Sequence, residues 1–265
     1  MELETMKIPA GIDVMDDGKP FFFEGGKTGC LLVHGFTGTT SSLKPMGEFL
    51  AGKGLTVLGP RLPGHGTDVE DMARWAYTDW TRTVEKALQE LMSLCDCVCV
   101  AGLSLGGTLT LYLGERYPDR ISGIIPVNAP VKRLVINPVL NLLQKTVPVL
   151  KHVLKTFPGV GSDLKDPNVT EVAYEKFSTN AAHELLKLLA VVKNDIARIK
   201  MPIRIFESKD DHVVPPENGP FVYENVASTD KKLIWLENSY HVATLDLDKE
   251  KIFQESYEFI TAVTG

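Results

Sequence analysis

The chain has 265 residues, which is long enough for one large domain, or for a domain with a sizeable insertion, around a buried core. Hydrophobic residues make up 44% of it and charged residues 23%, a balance that is typical of globular proteins and excludes a disordered chain. The formal net charge of -6 supplies no basic surface for a nucleic-acid backbone, so we expect no nucleic-acid partner.

The N-terminal segment, MELETMKIPAGIDVMDDGKP, carries acidic residues where a secretory signal would have a basic region followed by an apolar one. No later segment contains about 18 consecutive apolar residues, the length that a membrane-spanning helix needs. The sequence therefore predicts a cytoplasmic protein.

Short apolar strands, turns and amphipathic helices alternate along most of the chain. In chain order the sequence predicts strand 30–33, helix 43–53, strand 56–58, helix 78–94, strand 97–101, helix 105–117, strand 121–127, strand 203–206, helix 216–227, strand 232–236 and helix 249–263. This alternation predicts an α/β domain with a mostly parallel central sheet flanked by helices.

The alternation is interrupted between the two core segments, 1–129 and 201–265. Residues 130–200 contain no strand-like run that is bounded by turns on both sides, and we predict a helical insertion there. It consists of short apolar helical patterns interrupted by proline, followed by one long amphipathic helix at 181–198. Because open α/β sheets bind ligands at the carboxyl ends of their strands, we expect the insertion to cap such a site. A structural layer and a dimer surface are the alternatives.

The four cysteines are predicted to be buried free thiols. Cys95, Cys97 and Cys99 alternate along a predicted strand, so we expect them on one face, without the geometry for a mutual disulfide. Cys30 stands alone. The CDCVC run lacks the second, distant pair of ligands that a zinc site needs, so no metal is predicted.

A serine between glycines follows the third predicted strand. Gly102-Leu103-Ser104-Leu105-Gly106 fits the pattern GxSxG, with a buried strand before it and a helix after it. The sharp turn lifts the serine hydroxyl out of the sheet, and glycines avoid collisions with the neighbouring backbone. The helix that follows directs free N–H groups and its positive dipole end at the serine. Ser104 is therefore a candidate nucleophile.

A serine hydroxyl becomes a good nucleophile when a histidine takes its proton and a carboxylate orients the histidine. In this strand-turn-helix motif the chain order is Ser, then Asp or Glu, then His. Four histidines follow Ser104. His152 and His183 lie within the insertion and His212 directly adjoins the acids that it would need as partners, which leaves His241 as the candidate base.

The acid is expected just after the preceding predicted strand, 203–206. The segment 203–215 offers Glu207, Asp210 and Asp211 there. Position in the chain does not distinguish between the three carboxyl groups.

An oxyanion hole needs a second N–H donor from the loop after an earlier strand. That loop reads VHGFTG at 33–38, and we expect the backbone N–H groups of Phe36 and Leu105 to be the two donors. His34 in this loop and His65 in the later LPGHG segment are predicted to order their loops.

Five segments together resemble a known family: LLVHGFTGT (31–39), PRLPGHGT (60–67), GLSLGG (102–107), DDHVVPP (210–216) and NSYHVATLD (238–246). They are similar to the α/β-hydrolase carboxylesterases of bacteria, and most of all to the bacterial monoacylglycerol lipases. The similarity extends into the insertion, where GSDLKDPNVTEVAYEK (161–176) resembles their cap. The resemblance implies the α/β-hydrolase fold with a helical cap and a place in lipid metabolism.

The resemblance also implies site residues. The D-x-V-V-P context favours Asp211 as the acid, with Asp210 as the fallback, so Ser104, Asp211 and His241 would form the catalytic triad of a serine esterase. Glu171 and Val160 would bind the substrate, with Glu171 at the glycerol end. The implied partner is a small ester such as a monoacylglycerol, without a cofactor. Transient contact with lipid aggregates is left open, as is the choice between monomer and homodimer.

Three other functions remain open. A short-chain carboxylesterase would have the same residues and no preference for glycerol. An aminopeptidase-like relative would use Glu171 or Glu175 to hold the free amine of its substrate. A binding protein that keeps the fold without catalysis is the third, although such proteins often lack one of the three catalytic residues and this chain has a candidate for each.

Overall fold

The computed structural model describes residues 3–132, 134, 147, 154–159 and 161–265. The strands there are β1 (Phe21–Phe23), β2 (Thr28–Val33), β3 (Thr56–Gly59), β4 (Cys97–Leu103), β5 (Gly123–Val127), β6 (Thr156–Pro158), β7 (Lys176–Ser178), β8 (Ile203–Ser208) and β9 (Lys231–Leu236). Seven of them form one sheet in the order β1-β3-β2-β4-β5-β8-β9. β1 runs antiparallel to β3, and all other neighbours in this sheet are parallel.

The α-helices of the described segments are α1 (Lys44–Gly52), α2 (Val69–Met72), α3 (Tyr77–Leu94), α4 (Leu105–Arg116), α5 (Thr179–Asp195), α6 (Asn218–Asn225) and α7 (Lys249–Thr264). Short 3-10 helices occur at Glu4–Met6, Asp16–Gly18, Thr40–Ser42 and Ile196–Arg198. Across these segments no helix is both long enough and apolar enough to span a membrane.

The sheet is covered on both faces, which explains why its strands are continuous apolar runs. In β4, Val98 and Val100 belong to the core on the side of α3, α4 and α6, while Cys99 and Ala101 belong to the core on the side of α1 and α7. α5 packs against α3 and α4 outside the sheet. The mostly parallel α/β architecture predicted from the sequence is confirmed.

Three short strands were not predicted. β1 is a run of three phenylalanines that pairs only with β3 at the edge of the sheet. The prediction that the insertion contains no strand was wrong, because β6 and β7 form an antiparallel pair in which Phe157 faces Phe177. A three-residue strand is too short for its side-chain period to be recognised, and here its partner is distant in the sequence. The long helix predicted at 181–198 is present as α5 followed by a 3-10 turn.

The cysteine prediction needs three corrections, the first being that Cys97 is only half-buried. All four thiols are free, but Cys95 lies on the α3 side of the sheet and Cys99 on the α1 side, because β4 begins only at Cys97. Cys30 is not alone, since it lies beside Cys99 on the neighbouring strand β2. Burial raises the pKa of Cys99 to about 12, so its thiol stays protonated.

Candidate active site

The turn between β4 and α4 holds Ser104 in an unusual backbone conformation. Its φ is 55° and its ψ is -118°. Residues other than glycine rarely adopt this combination, which is typical of functional turns. A Cβ atom on Gly106 would lie 1.8 Å from the carbonyl oxygen of Val33, and one on Gly102 would lie 2.3 Å from Gly106. The two glycines therefore let the strand and the helix approach closely enough to hold this turn.

Three predicted site residues come together at the carboxyl ends of the parallel strands. Ser104 follows β4, Asp211 follows β8 and His241 follows β9. The Oγ atom of Ser104 lies 2.9 Å from Nε2 of His241, and Nδ1 of the same ring lies 2.7 Å from Oδ2 of Asp211. Asp211 and His241 are 3% and 8% exposed, so water competes little for these bonds.

Hydrogen bonds hold both oxygens of the Asp211 carboxyl group. Its second oxygen, Oδ1, accepts hydrogen bonds from the N–H groups of Val213 and Val214, both at 2.8 Å. Together with the bond from His241 to Oδ2, these two bonds fix the direction of both oxygens. Asp211 can then accept a hydrogen bond from the protonated Nδ1 of His241, which leaves Nε2 free to take a proton from Ser104.

The other two carboxyl groups that the sequence offered lie elsewhere. Asp210 has a side chain that is 60% exposed and pairs with Lys165 at 3.8 Å. Glu207 is buried at the end of β8, where burial and the Asp211 carboxylate raise the pKa of Glu207 well above its ordinary value. Neither group contacts His241.

The imidazole of His241 lies among negative charges. Burial lowers the pKa of His241, but the carboxylates of Asp211, Glu171 and Asp163 outweigh burial, and the pKa lies above the ordinary histidine value of 6.5. These charges stabilise the imidazolium form, which is the form that the ring would take after accepting a proton from Ser104.

The loop after β2 lies against the serine. A Cβ on Gly35 would lie 3.4 Å from the Cβ of Ser104, and the next residues, Phe36 and Thr37, line the same cavity. Within the described segments, neither the N–H of Phe36 nor that of Leu105 donates to another protein group. Leu105 is the first residue of α4, where N–H groups have no partner within the helix. Both groups are available to an oxyanion.

The histidines expected to order loops do so. Nε2 of His34 accepts a hydrogen bond from the N–H of Leu62 at 3.1 Å, while Nδ1 donates to the oxygen of Gly35 at 3.0 Å. Burial lowers the pKa of His34 to about 4, so the ring is neutral at pH 7. Nδ1 of His65 donates to the oxygen of Pro63 at 3.1 Å. Neither ring contacts Ser104.

A cavity of about 510 Å³ opens beside Ser104 and His241. Its walls are mainly apolar and come from both the core and the insertion: Phe36, Leu134, Val147, Phe157, Phe177 and Leu185 are among them. Cavities of this size and character accommodate small ligands with one long apolar part.

Glu171 contributes a carboxyl group to this cavity. The residue lies in irregular structure, and its Oε1 is 2.7 Å from the position that a Cβ on Gly38 would take. Burial raises the pKa of Glu171 to about 7, against the opposing effect of His241. Glu171 therefore exchanges between its neutral and charged forms near neutral pH. Val160, the other expected substrate-binding residue, lies outside the described residues.

Asn128 is a supporting residue that the sequence analysis missed. Its side-chain amide donates to the oxygen of His241 at 2.7 Å and to Oγ of Ser208 at 3.0 Å, and its own Oδ1 accepts from the N–H of Ser208. Its φ of 46° is a conformation that asparagine tolerates better than most residues. An asparagine directly after the buried strand β5 was the available signal.

Comparison with known proteins extends over nearly the whole chain. A family model described as serine aminopeptidase, S33 (Hydrolase_4) matches residues 26–248. The thermostable monoacylglycerol lipase of Bacillus sp. strain H-257 is 44% identical over 252 residues, which cover 95% of this chain and 98% of that protein. The carboxylesterase of Bacillus subtilis strain 168 is 33% identical over 243 residues, covering 91% and 96%. A solved structure from work on the metagenome-derived lipolytic enzymes LipS and LipT matches with a TM-score of 0.89 at 39% identity, covering 94% of this chain and 100% of that one.

Proposed function

The chain belongs to the hydrolase family described as serine aminopeptidase, S33, and from this premise we propose that it hydrolyses monoacylglycerols to glycerol and a free fatty acid. Its relatives named lipase and carboxylesterase make it a carboxylic ester hydrolase with the α/β-hydrolase fold. The observation that carries the choice of substrate is the cavity, which offers apolar walls to one acyl chain and one carboxyl group, Glu171, to the alcohol.

The first half of the reaction forms an acyl-enzyme. Oγ of Ser104 attacks the ester carbonyl carbon while Nε2 of His241 takes the hydroxyl proton, and Asp211 holds the imidazolium in place. The carbonyl oxygen becomes negative and accepts hydrogen bonds from the N–H groups of Phe36 and Leu105. When the tetrahedral intermediate collapses, the bond to the glycerol oxygen breaks and His241 donates its proton to that oxygen.

The second half releases the fatty acid. A water molecule gives a proton to His241 and attacks the acyl carbonyl carbon, and the same two N–H groups stabilise the second oxyanion. Collapse breaks the bond to Oγ of Ser104, which recovers its proton from His241. All groups return to their starting state without a metal or an organic cofactor.

The insertion supplies the wall that holds the acyl chain. Ala182, Leu185 and Leu186 of α5 line the cavity, together with Phe157 of β6 and Phe177 of β7. This position over the carboxyl ends of the strands supports the interpretation of residues 130–200 as a cap. Val160, which is also expected to bind the substrate, lies outside the described residues and stays a prediction.

Glu171 is proposed to bind a glycerol hydroxyl. Because the pKa of Glu171 lies at about 7, its carboxyl group can accept a hydrogen bond when ionised and donate one when protonated. A glycerol hydroxyl can serve as the partner in either case, whereas the methyl group of a methyl ester offers none.

The substrate class is tested by comparing kcat/KM for a monoacylglycerol with that for the methyl and p-nitrophenyl esters of the same acyl chain, an aminoacyl amide and a diacylglycerol. We expect the monoacylglycerol to be preferred over the methyl ester and the diacylglycerol. Equal rates for the monoacylglycerol and the methyl ester would indicate a carboxylesterase without glycerol preference. Faster hydrolysis of the amide would favour an aminopeptidase, the activity that the family description names.

Two properties of the protein in solution remain predictions. Contact with lipid aggregates is tested by sedimentation with monoacylglycerol-containing vesicles, and the choice between monomer and homodimer by light scattering.

A further inference from the structure

Asp163 lies at the base of the insertion and directs its carboxylate between two loops of the core. Oδ2 accepts hydrogen bonds from the backbone N–H groups of His241 at 3.0 Å and His212 at 3.2 Å. Oδ1 lies 2.9 Å from Nδ1 of His212. The backbone oxygen of Asp163 accepts from the N–H of Val242 at 3.2 Å. One residue thus contacts three residues on the two loops that follow β8 and β9.

These contacts bear directly on the proposed proton relay. His212 is the chain neighbour of Asp211, so the same carboxylate oxygen holds the backbone next to the acid and the backbone of the base itself. A hydrogen-bonded distance of 2.7 Å between Asp211 and His241 depends on the relative position of the two loops. We propose that Asp163 is a positioning residue that aligns His241 with Asp211, and that the insertion thereby sets the geometry of catalysis. This inference rests on the proposed roles of Asp211 and His241.

A second carboxylate keeps the segment around Asp163 in place. Asp246 accepts hydrogen bonds from the N–H groups of Lys165 at 2.8 Å, Asp166 at 2.9 Å and Tyr240 at 2.9 Å. The base of the insertion is therefore tied to the loop of His241 at two points. With a side chain only 13% exposed, Asp163 makes these bonds with little competition from water.

The charge of Asp163 adds an electrostatic effect to the geometric one. The carboxylates that face the imidazole of His241 are those of Asp211, Glu171 and Asp163. Asp163 itself faces the ring of His212, which is exposed and packs edge-on against Tyr240 at 4.3 Å between ring centres. Removal of the negative charge at Asp163 should make the protonated form of His241 less stable.

Two substitutions separate geometry from charge. In Asp163→Asn the amide oxygen can replace Oδ2 and accept both backbone N–H groups, while the amide nitrogen donates to Nδ1 of a neutral His212. In Asp163→Ala all of these side-chain bonds are lost. Misplacement of a reacting group by about 1 Å costs roughly 10²-fold in rate. We therefore expect kcat for a p-nitrophenyl ester to fall by about 10- to 100-fold in Asp163→Ala, with KM changed by less than about 3-fold.

The conservative variant should restore the rate and shift the pH profile. We expect kcat of Asp163→Asn to lie within about 3-fold of the unsubstituted protein at the pH optimum, with the acid limb of the profile at lower pH. Asp210→Asn removes the same charge from an exposed neighbouring position and is expected to leave both kcat and the acid limb unchanged. His212→Ala keeps both backbone bonds to Asp163 and should retain most of the activity.

The outcomes distinguish this inference from the proposed function. An unchanged kcat in Asp163→Ala, or an equal loss in Asp163→Asn and Asp163→Ala, would overturn the positioning role. NMR titration of the His241 imidazole needs no substrate: its midpoint should fall in Asp163→Asn and stay constant in Asp210→Asn, and a constant midpoint in both would refute the electrostatic part. If the unsubstituted protein hydrolyses no ester, the proposed function fails, and the titration still tests the contact between Asp163 and His241.

Discussion

Three carboxyl groups at the end of β8 differ in their contacts because their surroundings differ. Asp210 is exposed, Glu207 is buried where burial raises its pKa well above the ordinary value, and Asp211 is hydrogen-bonded on both oxygens. Such divergence between neighbouring carboxyl groups is what assigns different roles to them at a catalytic centre. Of the three, only Asp211 is hydrogen-bonded to His241, which supports its proposed role as the acid.

The assignment of the acid predicts a large difference between two adjacent substitutions. Asp211→Asn should lower kcat by about 10⁴-fold, because an amide at this position stabilises the wrong tautomer of His241. Asp210→Asn should leave kcat unchanged, since this side chain is solvated. Ester hydrolysis by both variants, with circular dichroism to verify folding, measures the difference. A larger loss in Asp210→Asn would mean that the acid is misassigned.

The proposed contact between Glu171 and glycerol predicts a change in selectivity. Glu171→Ala should lower kcat/KM for a monoacylglycerol about 10-fold relative to the matched methyl ester, since loss of one hydrogen bond to a charged group costs about 1.5 kcal/mol or more. In the ratio of the two kcat/KM values any effect on His241 cancels, because both reactions use this residue. Glu175→Ala, at an exposed position nearby, is the control. An unchanged ratio in Glu171→Ala would remove Glu171 from the glycerol site.

The carboxylates around His241 predict the pH dependence of hydrolysis. His241 must be neutral to accept the proton of Ser104, so kcat/KM should fall as the pH drops through the pKa of His241. Because that pKa is raised, the midpoint of the acid limb should lie above pH 6.5. Glu171→Gln removes one of the charges that raise the pKa of His241, so the acid limb should move to lower pH. A midpoint below 6.5 in the unsubstituted protein would contradict the electrostatic description.

At the scale of elements, the close contact of α4 with β2 and β4 shapes the site. The carbonyl oxygens of Val33 and His34 lie so close to Gly106 that no side chain fits between them. Since Val33 ends β2 and the loop with Phe36 follows it, the same contact holds both the serine turn and the proposed second oxyanion donor. The strand, the helix and the loop with Phe36 are therefore held together by one contact.

A methyl group at this contact should disturb both stability and activity. Gly106→Ala forces the backbone of Val33 away and is expected to cost about 3 kcal/mol of unfolding free energy. For a chain of this size that corresponds to roughly 6–12 °C in Tm. Gly52→Ala, at the end of α1, is the control, because a Cβ there meets nothing within 4 Å. Equal Tm values for the two variants, measured by calorimetry, would mean that α4 and β2 tolerate separation.

For the whole molecule, parallel strands bring distant segments to one edge of the sheet. Ser104, Asp211 and His241 are far apart in sequence, yet each lies in the turn or loop that follows a strand of the same sheet. Side chains of the insertion line the cavity at this edge, and Asp163 accepts a hydrogen bond from the backbone of His241. The proposed site is therefore assembled from both parts of the core and from the insertion.

The sequence predicted the parts of this arrangement that leave a local pattern. Buried strands, amphipathic helices and the GxSxG turn each have a recognisable period or composition. The order of serine, acid and histidine along the chain then indicates His241. The three-residue strands β1, β6 and β7 leave no such pattern. Contacts such as those of Asn128 and Asp163 depend on residues about 80 or more positions apart, and a solitary polar residue in a loop gives no indication of its partner.

The central claim, that Ser104 is the nucleophile of a serine esterase, is tested most directly by labelling with a fluorophosphonate and locating the adduct by peptide mass spectrometry. We expect one adduct per chain, on Ser104, and no labelling of a Ser104→Ala variant with an unchanged Tm. An adduct on another residue, continued labelling of Ser104→Ala, or no labelling of the folded, unsubstituted protein would contradict the account.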